Sequence, residues 1–334
     1  MSTAWQFYFS TLAIYLAVDI MAVWGLNLQF GVAGISSFAF IMFQAIGAYV
    51  ASVLTLGPAQ PTSFQQYIGG ANLPFPLPLL AAGLAGGLLA LVVGLISLRR
   101  LRTDYQAMVM LVISLTATYV VDNETHLFNG PAGLSLVPKP LFDSLGLSLI
   151  SYQWFYVGLS AVICVLIYLV VRRFTGSPLG RAMRAARDNE HAAAALGKNV
   201  LALRMTAFVA GGVIAGISGA VFVDFIGAWS PGSWLYPETF VYFTAILVGG
   251  TGNNVGVAVG ALLVPIGFLE ATRYLPNIGY PGFVDALEWV AVGVLALIFL
   301  WFWPRGVIPE RKRRFPRAGE ERRRFGVLAL RGRS

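Results

Sequence analysis

The sequence predicts an all-α, polytopic integral membrane protein, and three observations predict it. Hydrophobic residues fill 57% of the 334 positions and charged residues only 11%, less than half of the roughly 25% charge found in an average soluble chain. Apolar runs of about 20 residues recur along the chain, the length that crosses a hydrocarbon core of roughly 30 Å as a helix, and mean hydropathy is +0.73. The basic residues lie in patches between those runs. Of 23 in all, Arg99 to Arg102 holds three, Arg172 to Arg204 seven and Arg305 to Arg333 eleven, leaving only Lys139 and Arg273 elsewhere. Such clustering marks cytoplasmic loops by the positive-inside rule. It accounts for the net charge of +8 with no nucleic-acid partner.

Seven spans are expected, at 5–26, 38–56, 77–98, 105–121, 153–171, 203–224 and 286–303. The first run has no basic residue before it, unlike a secretory signal, so it is expected to stay as a span. An eighth apolar region, 240–269, would make a single helix of about 45 Å, too long for one crossing. The cluster Gly249-Gly250-Thr251-Gly252-Asn253-Asn254 interrupts it, and glycine with asparagine favours a turn. If the three basic patches share one side, 240–269 must return to the side it came from, so a broken hairpin or re-entrant segment is expected, its turn within or near the membrane. Non-helical backbone at that depth is tolerated only where it is buried in protein or lines a wet cavity. Residues 27–37 resemble a second broken segment, but they carry no charge to orient them, which leaves the side of the N-terminus open. The total is about 8–10 transmembrane or half-membrane helices, with breaks near 27–37 and 249–254.

Glycine numbers 37, and much of it lies inside spans, where small residues let helices approach closely. Gly252, Gly256 and Gly260 form a GxxxGxxxG ladder, and Gly212 with Gly216 and Ala215 with Gly219 form overlapping small-xxx-small pairs. Packing is the first reading of these, together with Gly249 and Gly250. The single cysteine, Cys164, excludes an intrachain disulfide, and no metal-ligand constellation is visible.

The most informative soluble segment is 172–204. Ser177 can cap a helix whose first position is Pro178, and Gly197 can end it, so one helix over 178–197 is expected. Arg184, Arg187 and His191 fall on one face, and Ala182, Ala186, Ala193 and Leu196 on another. Such a helix suits a partner's groove, anionic lipid or a solvated connector. For a transport pathway the candidates are Asn27, Thr251, Asn253 and Asn254, whose amides and hydroxyl can hydrogen-bond a small polar solute without the desolvation cost of a charge. Asp19, inside the first span, is an intramembrane carboxylate and a candidate by default, for the pathway or its gating, or else for an interhelical hydrogen bond or a place at the interface.

Gly180-Arg181-Ala182-Met183-Arg184-Ala185-Ala186-Arg187-Asp188-Asn189-Glu190, followed by Ala192-Ala193 and Ala195-Leu196-Gly197, resembles the cytoplasmic coupling loop of branched-chain amino acid ABC importer permeases of LivM type. Gly25-Leu26-Asn27-Leu28 through Tyr49, Phe208 through Val221, and Val248-Gly249-Gly250-Thr251-Gly252 with Gly256 agree in order, so that the resemblance covers roughly 20–308. Two stretches depart from the pattern: Ala39-Phe40-Ile41-Met42, where the family has a Gly-His-Ala-Ala run, and Asn129-Gly130-Pro131-Ala132-Gly133-Leu134. Urea and short-amide importers share the architecture and stay open as alternatives.

The resemblance implies an ABC importer transmembrane domain over 1–308, with the coupling loop at 172–204; the basic run that follows, 309–334, is expected as a cytoplasmic tail whose charges from Arg311 bind lipid, with ATPase contact as the alternative. It implies a multi-pass protein of the bacterial inner membrane. Its partners would be a second, LivH-like permease, two cytoplasmic ATPase subunits and a periplasmic or lipid-anchored substrate-binding protein. Coupling to the ATPase would fall to Gly180, Arg181, Arg184, Arg187, Asn189, Glu190, Ala193 and Gly197. No cofactor is expected in this chain. Leu196-Gly197-Lys198-Asn199 is no phosphate-binding loop, because Asn stands at the hydroxyl position and no glycine lies five residues before Gly197. ATP and Mg would therefore sit in separate subunits, making this chain a non-enzyme. A reading from a different class, an ion-driven secondary transporter, would also use broken helices and Asp19.

Overall fold

A computed structural model describes residues 3–59, 64–272 and 283–310. Helix α1, Thr3–Asn27, runs into a π-helical turn at Leu28–Val32 and then a non-helical stretch, before α2, Phe40–Thr55, begins. Helices α3, Leu77–Arg100, and α4, Thr103–Asn123, form the next pair. Two short helices, α5 at Thr125–Phe128 and α6 at Phe142–Leu145, lie in the connection to α7, Leu149–Gly176. The soluble loop holds α8, Pro178–Asp188, and α9, Glu190–Ala195. After α10, Val200–Ile226, come α11, Pro237–Gly249, and α12, Asn254–Ala261, which continues through a π turn at Leu262–Phe268 into α13, Leu269–Thr272. Helix α14, Phe283–Phe302, follows. Among the described residues there is no β-strand, only the isolated bridges Tyr67 to Phe128 and Leu134 to Trp229. All seven expected spans are helices, and six helical stretches among the described residues are long and apolar enough to cross a bilayer.

Region 240–269 is the expected hairpin, with one difference from expectation. Its turn, 250–253, reaches α8, where a Cβ on Gly252 would stand 3.2 Å from Arg187 Nη1. Its second arm is longer than expected and runs 19 residues to Thr272, about 28 Å of helix. Pro265 lies inside that arm, and the π turn around it accommodates the missing N–H and lets the helix continue.

The orientation of α1, which no charge could fix, follows from its partners. Near its start Ser10 Oγ donates to Gln153 Oε1 at 2.8 Å, in the first turns of α7, and Tyr8 Oη donates to Glu270 Oε1 at 2.9 Å, at the far end of the hairpin. Near its end Asn27 meets Gly252 and Asn254 at the hairpin turn. The described start of α1 therefore lies on the side opposite α8. Arg172, Arg173, Arg181, Lys198, Arg204 and Arg305 gather on the α8 side, and Lys139 lies opposite.

Helix α10 is the axis of the domain, packed against α1, α2 and α3 with close backbone approaches at glycine. A Cβ on Gly25 would stand 2.9 Å from the Gly211 carbonyl oxygen, and one on Gly86 would stand 3.0 Å from Gly216 Cα. Gly47 meets the Gly216 backbone, and Gly219 meets Gln44 O. The small-xxx-small pairs of α10 thus serve packing. Dispersion at such short interaxial distances replaces the hydrophobic drive that lipid cannot supply. Gly249, Gly256 and Gly260 do the same between α11 and α12: Gly249 against Gly256, Gly260 against Ala245 O.

The crossing yields a test. Gly219→Ala should destabilise the detergent-solubilised protein by about 1–3 kcal/mol, the usual cost of overpacking, read as a lower thermal unfolding midpoint. Gly158→Ala, whose Cβ meets nothing within 4 Å, should leave the midpoint unchanged or raise it. Equal behaviour of the two variants would refute the close-approach role.

Candidate functional site

The soluble loop is built by its caps. Ser177 Oγ accepts from Gly180 N at 3.2 Å, and Pro178 takes the first helical position. Gly180 has no room for a side chain, because a Cβ there would lie 2.5 Å from Thr175 O. The single helix expected over 178–197 is in fact two. Asn189 leaves helical geometry at φ −156° and uses its side chain to cap α9, accepting from Ala192 N at 3.0 Å. Asparagine competes with the backbone for such bonds and so starts a helix better than it continues one. Gly197 ends α9 as expected, at φ +73°, with Gly197 N donating to Ala194 O at 2.9 Å and Lys198 N to Ala193 O at 3.1 Å, a double bond pattern that closes the last carbonyls. Met183, Ala186 and Ala193 face the domain and are buried.

Arg184 and Arg187, expected on an outward docking face, turn inward. Their partner is Glu310, in the segment expected to be part of the basic tail. Arg187 Nη2 donates to Glu310 Oε2 at 3.0 Å, and Arg184 Nε stands 2.7 Å from Oε1, an ion contact whose N–H is not aimed along the line of centres. The Glu310 side chain is 19% exposed and those of Arg184 and Arg187 are 28% and 21%. These are partly buried pairs, stronger than a surface salt bridge. Arg184 Nη1 also donates to Thr175 O at 3.1 Å. Arg187 Nη1 donates to Gly31 O, at the break that follows α1.

Both breaks in the membrane backbone meet at this point. Asn27, fully buried, accepts at Oδ1 from Gly252 N at 3.0 Å and donates from Nδ2 to Asn254 Oδ1 at 3.3 Å. Asn254 Nδ2 donates to Thr175 Oγ1 at 3.0 Å, and Trp24 Nε1 donates to Asn254 O at 2.7 Å. Residues 305–310 lie as a strap over the hairpin turn. Val307 N donates to Val248 O at 2.8 Å and Ile308 N to Gly249 O at 3.0 Å, closing two carbonyls that the end of α11 leaves without helical partners. Asn253 Nδ2 donates to Ile308 O at 3.1 Å, while Asn253 Oδ1 caps α12 by accepting from Val255 N, also at 3.1 Å. Gly250 at φ +114° and Gly252 at φ +79° supply left-handed turns that side chains would resist.

Two sets of candidates far apart in the sequence, Arg184 and Arg187 of the loop and the amides of Asn27, Asn253 and Asn254, thus form one clasp. Glu310, Thr175, Gly31 and Gly34 belong to it and were missed, and Gly34 lies at φ +72° with the Arg187 side chain against it. The one signal for Glu310 was an isolated acid at the edge of a basic run. The other candidates lie elsewhere. Arg181 is exposed and donates to Gly176 O at 3.3 Å; Glu190 Oε2 pairs with Arg204 Nη2 at 3.0 Å, tying α9 to α10. Thr251 is half-buried at the turn. Asp19 sits two turns from Asn27 along α1, and Tyr242 of α11 donates its hydroxyl to Gln44 Oε1 at 3.2 Å. The outward face of α8 and α9 presents Leu179, 37% exposed, and Leu196, 80% exposed, beside Arg181 and Lys198. The basic tail from Arg311 lies outside the described residues.

Glu310→Gln leaves two guanidinium groups facing a neutral amide. With charged hydrogen bonds contributing about 1.5–3 kcal/mol each, amide exchange in 178–188 and 250–253 should rise severalfold while α10 stays protected. Unchanged protection of both segments in a hydrogen-exchange experiment would contradict the clasp.

A family model described as the branched-chain amino acid transport system permease component matches residues 8–302. The "Probable branched-chain amino acid transport permease protein LivM" of Methanocaldococcus jannaschii is 28% identical, over 90% of this chain and 93% of its own. The "High-affinity branched-chain amino acid transport system permease protein LivM" of Escherichia coli is also 28% identical, over 92% of this chain and 73% of its own, and the Salmonella typhimurium protein of that name gives 28%, 92% and 72%. No solved structure matches. Together with the broken helices that meet at the loop helix, these likenesses make the chain a multi-pass membrane transporter component, and it belongs to the branched-chain amino acid transport permease family.

Proposed function

We propose that this chain is the permease subunit through which an ATP-driven importer of the bacterial inner membrane moves branched-chain amino acids, working with a second permease, two separate ATPase subunits and a substrate-binding protein. The observation that carries the reading is the clasp, because it joins a solvent-facing loop helix to both breaks of the membrane backbone. An ATPase docked on the outward face of α8 and α9 would hold Leu179, Leu196 and Arg181. Its closure would displace α8, and Arg184 and Arg187 would carry that displacement to Gly31 and, through Glu310, to the hairpin turn. Such a device needs two arrangements with different contacts to the ATPase, since a partner shifts an equilibrium only by its differential affinity. Moving a two-state element from 1:99 to 99:1 takes about 5.5 kcal/mol, on the scale of several charge-assisted hydrogen bonds made or broken together.

On this reading Asn27, Asn253 and Asn254 are hinge residues as well as pathway candidates, because their polar groups hold the turns. The departure at Ala39-Phe40-Ile41-Met42 lends no support to a urea or short-amide cargo: all four side chains are buried in helix packing and supply no polar lining. The basic tail would rest on anionic headgroups.

Reconstitution tests the proposal. Labelled leucine should enter proteoliposomes only with ATP, the ATPase subunits and the binding protein present. Uptake driven by an ion gradient without ATPase would favour the secondary carrier instead. Within the complex, Leu179→Asp combined with Leu196→Asp should lower uptake at least about tenfold, the effect of losing one interface anchor of roughly 1.4 kcal/mol or more, and should release the ATPase on purification. Full uptake by that double variant would remove the docking face from the mechanism.

A further inference from the structure

On the side opposite α8, a cavity of about 140 Å³ opens among the end of α2, the start of α3, the connection before α6 and the last turn of α10. That is room for several waters or for one small solute. Its walls are fixed in place. Asn72 N donates to Leu56 O at 3.1 Å, Val137 N donates to Gly227 O at 3.0 Å, and Tyr152 Oη donates to Pro140 O at 2.8 Å. Two wall residues, Asn72 at φ +47° and Leu141 at φ +59°, hold left-handed backbone without being glycine, a strain that tends to gather at functional sites.

Asp224 of α10 lines this cavity and is only 3% exposed. Its Oδ1 is buried with no hydrogen-bond partner, and among the described residues the side chain makes no ion pair. A buried carboxylate left alone is costly and within a membrane domain marks a place where something binds. Lys139 lines the same cavity, its ammonium 5.8 Å from the centroid of the Tyr152 ring. The remaining lining is largely apolar, including Phe75, Leu141 and several prolines.

We propose that this cavity is an outward-facing binding site for a zwitterionic amino acid, whose ammonium pairs with Asp224, whose carboxylate pairs with Lys139, and whose aliphatic side chain packs on Phe75 and Leu141. The proposal deepens the import reading and rests on it for the direction of travel. One acid and one base lining the same cavity fit a zwitterion and leave a neutral amide such as urea with unmatched charges. The site is distinct from the clasp, which lies at the other end of α10.

The test uses the full chain in its complex, in nanodiscs and without the binding protein, with labelled leucine as the probe. Leucine should bind saturably, and two analogues should compete at least about tenfold more weakly, as expected for the loss of one charge-assisted pair: 4-methylpentanoate, which lacks the ammonium, and leucinamide, which lacks the carboxylate. Asp224→Asn should weaken leucine at least tenfold and erase its advantage over 4-methylpentanoate; Lys139→Gln should erase its advantage over leucinamide. Equal competition by both analogues on the unaltered protein overturns the proposal without any appeal to variants. Unchanged leucine binding in both variants, at unchanged thermal midpoint, overturns it as well. If those variants also import leucine with unaltered KM, the import reading stands and the site alone falls. Leucine bound as expected, with no ATP-driven uptake by the unaltered complex, retains the site and removes the import reading.

Discussion

The constraint on which the rest depends is that backbone breaking out of a helix at membrane depth must find partners within the protein. Among the described residues two breaks occur, one after α1 and one between α11 and α12, and each supplies the other. Asn27 of the first receives Gly252 N of the second, and the Gly31 carbonyl is met by Arg187 from outside the bilayer. The last carbonyls of α11 are closed by Val307 and Ile308 of the strap. Satisfying these groups draws α1, α7, α8, the hairpin and the C-terminal strap to one place. The loop helix is thereby tied to the membrane backbone by the same bonds that make the breaks tolerable.

The glycine crossings determine what can move. Where α10 touches α1, α2 and α3 at backbone distance, dispersion is short-ranged and intolerant of sliding, so these helices form a rigid frame. The clasp is of another kind. Its bonds are polar, several are ionic, and Glu310 and both arginines keep partial access to water, so alternative partners are within reach at small cost. A rigid bundle with one exchangeable polar node is the arrangement a two-state transporter requires, since packed cores switch between discrete states and do not deform continuously.

The spans, the two breaks and the caps at Ser177, Pro178 and Gly197 were legible because each rests on local rules: run length against bilayer thickness, glycine and asparagine against helix continuation, a hydroxyl against the first free N–H groups. The break at Asn189 was equally local and was passed over, the alanines around it outweighing one residue that caps well. Arg184 and Arg187 were recognised as a pair on one helix face, but which way that face points depends on Glu310, more than a hundred residues on. Likewise Asn27, Asn253 and Asn254 were singled out as polar groups in apolar surroundings, while their mutual hydrogen bonds follow from how α1 and the hairpin pack.

By itself, then, the chain determined its class, its spans, its basic side and the kinship carried by its loop, all of which depend on composition and short-range spacing. Tertiary structure alone decided that the N-terminal end of α1 lies opposite the loop, that the loop arginines bind inward to Glu310, and that Asp224 and Lys139 share a cavity. The reason is physical: each of these outcomes joins residues far apart in sequence, and the direction of a side chain on a helix is set by whatever packs against it, about which the local pattern carries no information.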